Sequence, residues 1–191
     1  MKPYQAIVIG TSAGGLFALS FLLERLPADF SLPVIIVQHR MNDQHQLELL
    51  EGILQVKCKL PVKQADEKEP ITNGIVYLAP PGYHLLVESD RTFSLSVDKP
   101  VSYSRPSIDV LFETAAYVYR EGLIGIILTG ANKDGAAGIT AISECGGLTI
   151  AQNPDEAQYP SMPAAAIATK TVRRICTLEE ICNFLLKISS A

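Results

Sequence analysis

The chain reads as an α/β protein: a three-layer αβα domain on a mostly parallel, doubly wound sheet, with a β-hairpin insertion. Three observations point there. Short continuous runs of β-prone apolar residues alternate with segments of helical period, the pattern of strands buried on both faces by crossover helices. Two further apolar runs flank one short polar turn and read as the hairpin. The length of 191 residues, 48% of them apolar and 19% charged, fits a single folded domain over 1–191 with a sizeable core.

Each element has its own signal. Ala6–Ile9 is a buried strand, and Ala13–Leu26 a helix with Leu16, Leu19, Leu22, Leu23 and Leu26 at helical spacing, ended by Pro27. Val34–Val37 is a second strand. Asp43–Leu54 is a second helix with Asp43 as its N-cap. Ile75–Leu78 is a strand broken by Ala79-Pro80-Pro81-Gly82, and His84–Glu88 and Phe93–Val97 form the hairpin around Ser89-Asp90-Arg91-Thr92. Ser107 caps a helix running to Glu121, with Gly122 after it. Leu123–Thr129 is the most apolar strand. The Gly-rich loop 130–135 leads into a short helix ending near Gly146-Gly147, and Leu148–Gln152 is another strand. Asn153–Met162 reads as a polar loop, and Thr177-Leu178-Glu179-Glu180 as a capping box opening a last helix to Ile188.

Composition removes several function classes. A net charge of −4 without a basic stripe leaves no nucleic-acid footprint. No apolar run reaches the roughly 20 residues that span a bilayer, and Gly10, Gly14 and Gly15 interrupt the N-terminal apolar stretch, so neither membrane insertion nor a signal peptide is expected. Cys58, Cys145, Cys176 and Cys182 show no CxxC spacing and read as reduced thiols of a cytoplasmic protein, bacterial in type. His39, His45 and His84 form no metal-ligand pattern. No metal or organic cofactor is expected.

Right-handed crossovers place every strand-to-helix loop at one sheet edge, where active sites of such folds lie. Three reactive residues stand there: Ser12 after the first strand, His39 after the second, and Asp134 after the strand ending at Thr129. A serine hydroxyl is a weak nucleophile until an imidazole takes its proton and a carboxylate orients that imidazole. Gly10-Thr11-Ser12-Ala13-Gly14 matches G-x-S-x-G between strand and helix, the setting of a nucleophile elbow, with the Ala13 N–H as a candidate oxyanion donor. The order Ser, His, Asp departs from the Ser, acid, His of α/β-hydrolases, and no histidine follows His84. The same Gly-rich turn admits another reading, a nucleotide- or phosphate-binding module, although Ser12 stands where G-x-G-x-x-G needs glycine and Gln38-His39-Arg40 where a ribose-binding acid belongs. His84 and His45 have structural readings. A third possibility is an interaction domain that keeps the triad residues without useful turnover.

Several motifs in order carry a resemblance over nearly the whole chain. They are Val8-Ile9-Gly10-Thr11-Ser12-Ala13-Gly14-Gly15, Val37-Gln38-His39, Leu78-Ala79-Pro80-Pro81-Gly82-Tyr83-His84, and Arg105-Pro106-Ser107-Ile108-Asp109-Val110-Leu111-Phe112. After them come Ile127 to Gly138, Ala151-Gln152-Asn153 and Ser161-Met162-Pro163. With these the chain resembles the catalytic domain of the CheB family of chemotaxis protein-glutamate methylesterases. The resemblance implies a triad of Ser12, His39 and Asp134, with the backbone at Ala13 and Ala131 as oxyanion candidates. It also implies hydrolysis of glutamate γ-methyl esters on methylated cytoplasmic helices of chemoreceptor-type proteins, releasing methanol, and in many members deamidation of glutamine. Ala13, Arg40, Ala131 and Ala164 depart from residues common in the family; these changes leave the chemistry in place and alter the substrate surface. Typical members carry an N-terminal receiver domain. This chain starts almost directly at its first strand, which leaves either a trimmed piece or a stand-alone esterase.

Overall fold

A computed structural model describes residues 4–39 and 49–189. Arg40, Asp43 and His45, to which the sequence assigns a substrate-facing change, a helix cap and a structural role, lie outside the described residues. Seven strands form one sheet in the order β3-β4-β2-β1-β7-β8-β9, and every pairing in it is parallel. They are β1 (Ala6–Thr11), β2 (Val34–Gln38), β3 (Val62–Gln64), β4 (Val76–Leu78), β7 (Leu123–Ile127), β8 (Leu148–Gln152) and β9 (Arg174–Cys176). β5 (His84–Val87) and β6 (Phe93–Ser96) pair antiparallel as the expected hairpin. The helices are α1 (Gly15–Leu23), α2 (Leu49–Lys57), α3 (Ile108–Tyr119), α4 (Ala136–Glu144), α5 (Ser161–Ala168) and α6 (Leu178–Ser189).

Side chains alternate across each strand, and both sides are apolar. Ile7, Ile9, Val34, Ile36, Ile124 and Ile126 point into one core with α1, α2 and α6. Ala6, Val8, Ile35, Val37 and Ile127 point into the other, with α3, α4 and the hairpin residues Leu85, Val87 and Phe93. That two-sided burial is why the strands read as unbroken apolar runs. Packing is close where chemistry will be placed: a Cβ on Gly10 of β1 would fall 2.4 Å from Ile108, the first residue of α3. The chain runs outward from β1 through β2, then returns to β7 on β1's other side. The strand order therefore reverses between β1 and β7, and a crevice opens beyond their carboxyl ends.

Several expectations change. α1 begins at Gly15 rather than Ala13, because Gly14 takes a left-handed conformation (φ 78°) that turns the chain sharply after Ser12. Segment 153–162 is not loop throughout: α5 starts at Ser161, and Met162 is buried against Gly130. β3 and β9 were missed as strands; both are three-residue edge strands, partly exposed, with no apolar run to announce them. The positive φ after α3 falls on Arg120 (50°), not on Gly122, and a Cβ on Gly122 would instead strike Gln5. The capping box of α6 is present: Thr177 N donates to Glu180 Oε2 (2.9 Å) and Glu180 N to Thr177 Oγ1 (3.2 Å). Among the described residues no helix is long and apolar enough to cross a membrane, and all four cysteines are free thiols.

Candidate active site

Ser12, His39 and Asp134 all stand at the carboxyl edge of the sheet, after β1, β2 and β7. Backbone bonds stitch the three loops together. Ser12 N donates to Thr129 O (3.0 Å) and His39 N to Thr11 O (3.0 Å), while Thr11 Oγ1 donates to Thr129 O (2.7 Å). Thr129 Oγ1 in turn donates to Ala13 O (3.0 Å).

Asp134 is the most constrained member. Its side chain is fully buried, and its carboxylate accepts four hydrogen bonds from the described residues. Oδ2 takes the His39 Nε2–H (2.7 Å) and the Ile108 N–H (2.7 Å); Oδ1 takes the Ser107 hydroxyl (2.9 Å) and the Asp109 N–H (3.1 Å). The carboxylate thus sits on the N-terminus of α3, where unpaired N–H groups and the helix dipole favour a negative charge. Ser107 occupies the N-cap position of α3, as expected, but makes no side-chain cap bond; the distant Asp134 does the capping and Ser107 supports it. Burial would raise the Asp134 pKa. The His39 hydrogen bond, then the N–H groups of Ile108 and Asp109, outweigh it and hold the group below its ordinary value.

Since a carboxylate only accepts, His39 donates from Nε2 and its Nδ1 carries the lone pair. The nitrogen left free to accept a proton is therefore Nδ1. Among the described residues two side chains lie at Nδ1, Asn132 Nδ2 (3.3 Å) and Ser104 Oγ (3.4 Å). Asn132 Oδ1 accepts the Asp134 N–H (3.1 Å), which turns its amide NH2 toward the ring. Among the described residues no hydrogen bond joins the Ser12 hydroxyl to His39. The Ala13 and Ala131 N–H groups have no acceptor among the described residues either. A cleft of about 700 Å³ opens beside Ser12, lined by Gly14, Leu16, Phe17, Gln38 and Tyr159 among others. His84 is structural: its Nδ1 accepts from Ser107 N (3.2 Å) and its Nε2 faces Lys99 O (3.1 Å).

Sequence reasoning missed Asn132, Ser104 and the partnership of Ser107 and Asp109 with Asp134. Asn132 carried a faint signal, a polar residue two positions before the acid in a tight loop. Ser104 carried none, because its approach to His39 depends on the turn at Val101–Ser104.

Asp109 is the second buried carboxyl here. Burial pushes its pKa up to about 6; a bond from Gly138 N (2.8 Å) opposes that rise, and the Asp134 charge adds to it. A carboxyl raised in the folded state destabilises the fold above its folded pKa and is relieved as pH falls toward its unfolded value of about 3.9. The penalty at neutral pH is on the order of 3 kcal/mol. Asp109→Asn keeps an oxygen for the Gly138 N–H and removes the charge. It is expected to melt higher than the parent at pH 8 and to lose the parent's gain in stability between pH 7 and 5. Thermal scans across that range check this; a variant that melts lower at pH 8 would contradict it.

The fold agrees with that of known proteins. Residues 7–185 match the family model described as CheB methylesterase. The chain belongs to the CheB methylesterase family. It is 48% identical over 187 residues to a putative protein-glutamate methylesterase/protein-glutamine glutaminase of Leptospira interrogans, covering 97% of this chain and 95% of that protein. A protein-glutamate methylesterase/protein-glutamine glutaminase of Clostridium acetobutylicum is 32% identical, over 96% of this chain but only 53% of its own length. The CheB methylesterase catalytic domain of Thermotoga maritima superposes with a TM-score of 0.91 at 29% identity, covering 97% of this chain and 98% of that one. None of these matches supports the nucleotide-binding reading.

Proposed function

We propose that this chain is a serine hydrolase that removes methyl esters from glutamate side chains of chemoreceptor-type proteins in the cytosol, and hydrolyses glutamine amides by the same route. The whole of 1–191 acts as one catalytic domain. The observation that carries the reading is the 2.7 Å bond from His39 Nε2 to a buried, four-fold held Asp134 carboxylate, which leaves Nδ1 as the base. The four free thiols suit a reducing compartment.

In this mechanism His39 Nδ1 takes the Ser12 proton as Ser12 Oγ attacks the γ-carbonyl. The oxyanion forms against the free N–H groups of Ala13 and Ala131. The imidazolium, stabilised by Asp134, returns its proton to the leaving methoxide, or to the amine of an amide substrate. Water then attacks the acyl-enzyme, again through His39, and glutamate is released. Ester and amide pass through the same acyl intermediate, so one site serves both.

Two serines compete for the role of nucleophile on geometry alone, since Ser104 rather than Ser12 lies within hydrogen-bonding reach of Nδ1. Ser12 is favoured because it directly precedes α1 and the unpaired Ala13 N–H, whereas Ser104 closes a two-residue turn and the next helix, α3, has its first N–H groups taken up by Asp134. Labelling with a fluorophosphonate, followed by mass mapping of peptides, is expected to place the adduct on Ser12. Methanol release from a methylated receptor fragment should stop when Ser12 is blocked. An adduct on Ser104, or methanol release that survives complete blocking of Ser12, would overturn the assignment.

A further inference from the structure

Gln38, the last residue of β2, pairs in register with Thr11 at the end of β1. Its side-chain amide reaches past both strand ends. One Nε2 hydrogen goes to Ser12 O (2.8 Å) and the other to His39 O (2.8 Å). A single amide therefore ties the main chain of the proposed nucleophile to that of the proposed base. Its Oε1, by contrast, is buried without a partner. Turning the amide over would give up both bonds, so the orphaned oxygen marks how firmly the NH2 group is committed. The neighbouring glycine agrees: a Cβ on Gly15 would fall 2.0 Å from Oε1.

The bond to Ser12 O has a further geometric effect. The Ser12 carbonyl and the Ala13 N–H belong to one planar trans peptide and point in opposite directions. Holding the oxygen aims the N–H. Gln38 Nε2 and Gly15 N (3.0 Å) hold Ser12 O, and Thr129 Oγ1 (3.0 Å) holds the next carbonyl, Ala13 O. Between these anchors the Ala13 N–H has no acceptor among the described residues.

We propose that Gln38 is a positioning residue for the ester hydrolysis: through Ser12 O it aims the Ala13 N–H at the developing oxyanion, and through His39 O it sets the spacing of nucleophile and base. The inference rests on the reading of Ser12 as nucleophile. A donor fixed in advance stabilises the transition state more than the bound substrate, so its loss falls on turnover and not on substrate affinity.

The test uses the full chain with Gln38→Met, which keeps length and loses both donors, and Gln38→Glu, which keeps shape and replaces the NH2 by an acceptor. Three readouts are taken: the second-order rate of fluorophosphonate labelling at Ser12, the affinity of a boronic acid that forms a tetrahedral adduct there, and kcat and KM for a glutamyl methyl ester. In a variant that melts like the parent, labelling rate, boronate affinity and kcat are each expected to fall about tenfold or more, with KM within about threefold. Labelling and kcat within twofold of the parent would overturn the proposal. So would a raised KM at unchanged kcat, which would make Gln38 a substrate contact. If both variants unfold, Gln38 is a folding residue and the proposal falls. A parent protein that is not labelled at Ser12 at all removes the Ser12 reading first and this inference with it, and so is distinguishable from a failure of Gln38 alone.

Discussion

Asp134→Asn is expected to lower kcat by about 10⁴-fold, the loss seen when the acid of a comparable triad becomes an amide. The carboxylate accepts at both oxygens, from His39 and Ile108 at Oδ2 and from Ser107 and Asp109 at Oδ1. An amide has one NH2 to place. At Oδ2 it would push His39 to the tautomer with its proton on Nδ1, where the base must be free, and would face the Ile108 N–H. At Oδ1 it would face the Asp109 N–H. Either way a backbone donor of α3 loses its acceptor, so the variant should also be less stable by about 1–3 kcal/mol. The sign with pH follows from the depressed Asp134 pKa. Its contribution is complete above the unfolded value of about 3.9 and is lost as pH falls through the folded one. The stability gap between parent and variant should therefore be full at neutral pH and close in acid. Steady-state kinetics with urea titrations at pH 7 and near pH 3 measure both effects. Retention of most of the activity would remove Asp134 from the mechanism.

Phe112→Ala should produce a large loss of stability, about 3–5 kcal/mol. The ring is fully buried on α3, in the cluster that includes Ile108, Leu111 and Ile139. It meets α4 where that helix has no side chain, since a Cβ on Gly138 would lie 2.5 Å from the Phe112 Cβ. The void has rigid helix and sheet on its sides, so little can collapse to fill it. Against a typical total of about 5–15 kcal/mol, this is a large fraction. A guanidinium or urea titration reads it directly, and the exposed Tyr117→Ala on the same helix should change stability by less than about 0.5 kcal/mol. A Phe112→Ala loss below about 1 kcal/mol would show that the α3–α4 contact relaxes, contrary to the close packing described.

What could be read from the sequence and what could not divide along physical lines. The central strands were legible because burial on both faces leaves an unbroken apolar run, as in Ala6-Ile7-Val8-Ile9 and Val34-Ile35-Ile36-Val37. β3 and β9 were not, because a short edge strand needs neither. Ser12, His39 and Asp134 could be singled out because strand ends in a parallel sheet converge. Their mutual arrangement could not. Which ring nitrogen meets Asp134 depends on the angle at which His39 leaves β2, and the approach of Ser104 and Asn132 depends on loops whose shape no periodicity encodes. The reassignment of the α3 cap from Ser107 to Asp134 has the same origin. Local capping signals describe neighbours in the chain, whereas this cap comes from 27 residues away.

The seat of Asp134 on α3 also bears on how descendants of this protein would look after losing their activity. An active-site residue usually strains its scaffold, and drift discards it once selection on turnover ends. Asp134 would be retained, because the helix beneath it still requires an anion at its first turn. Ser12, which donates and accepts no side-chain bond among the described residues, is under no such obligation. On the proposed reading of the site, an intact Asp134 in a lineage of relatives would then testify to a conserved architecture alone, and Ser12 would be the position whose loss records when the enzyme became a scaffold.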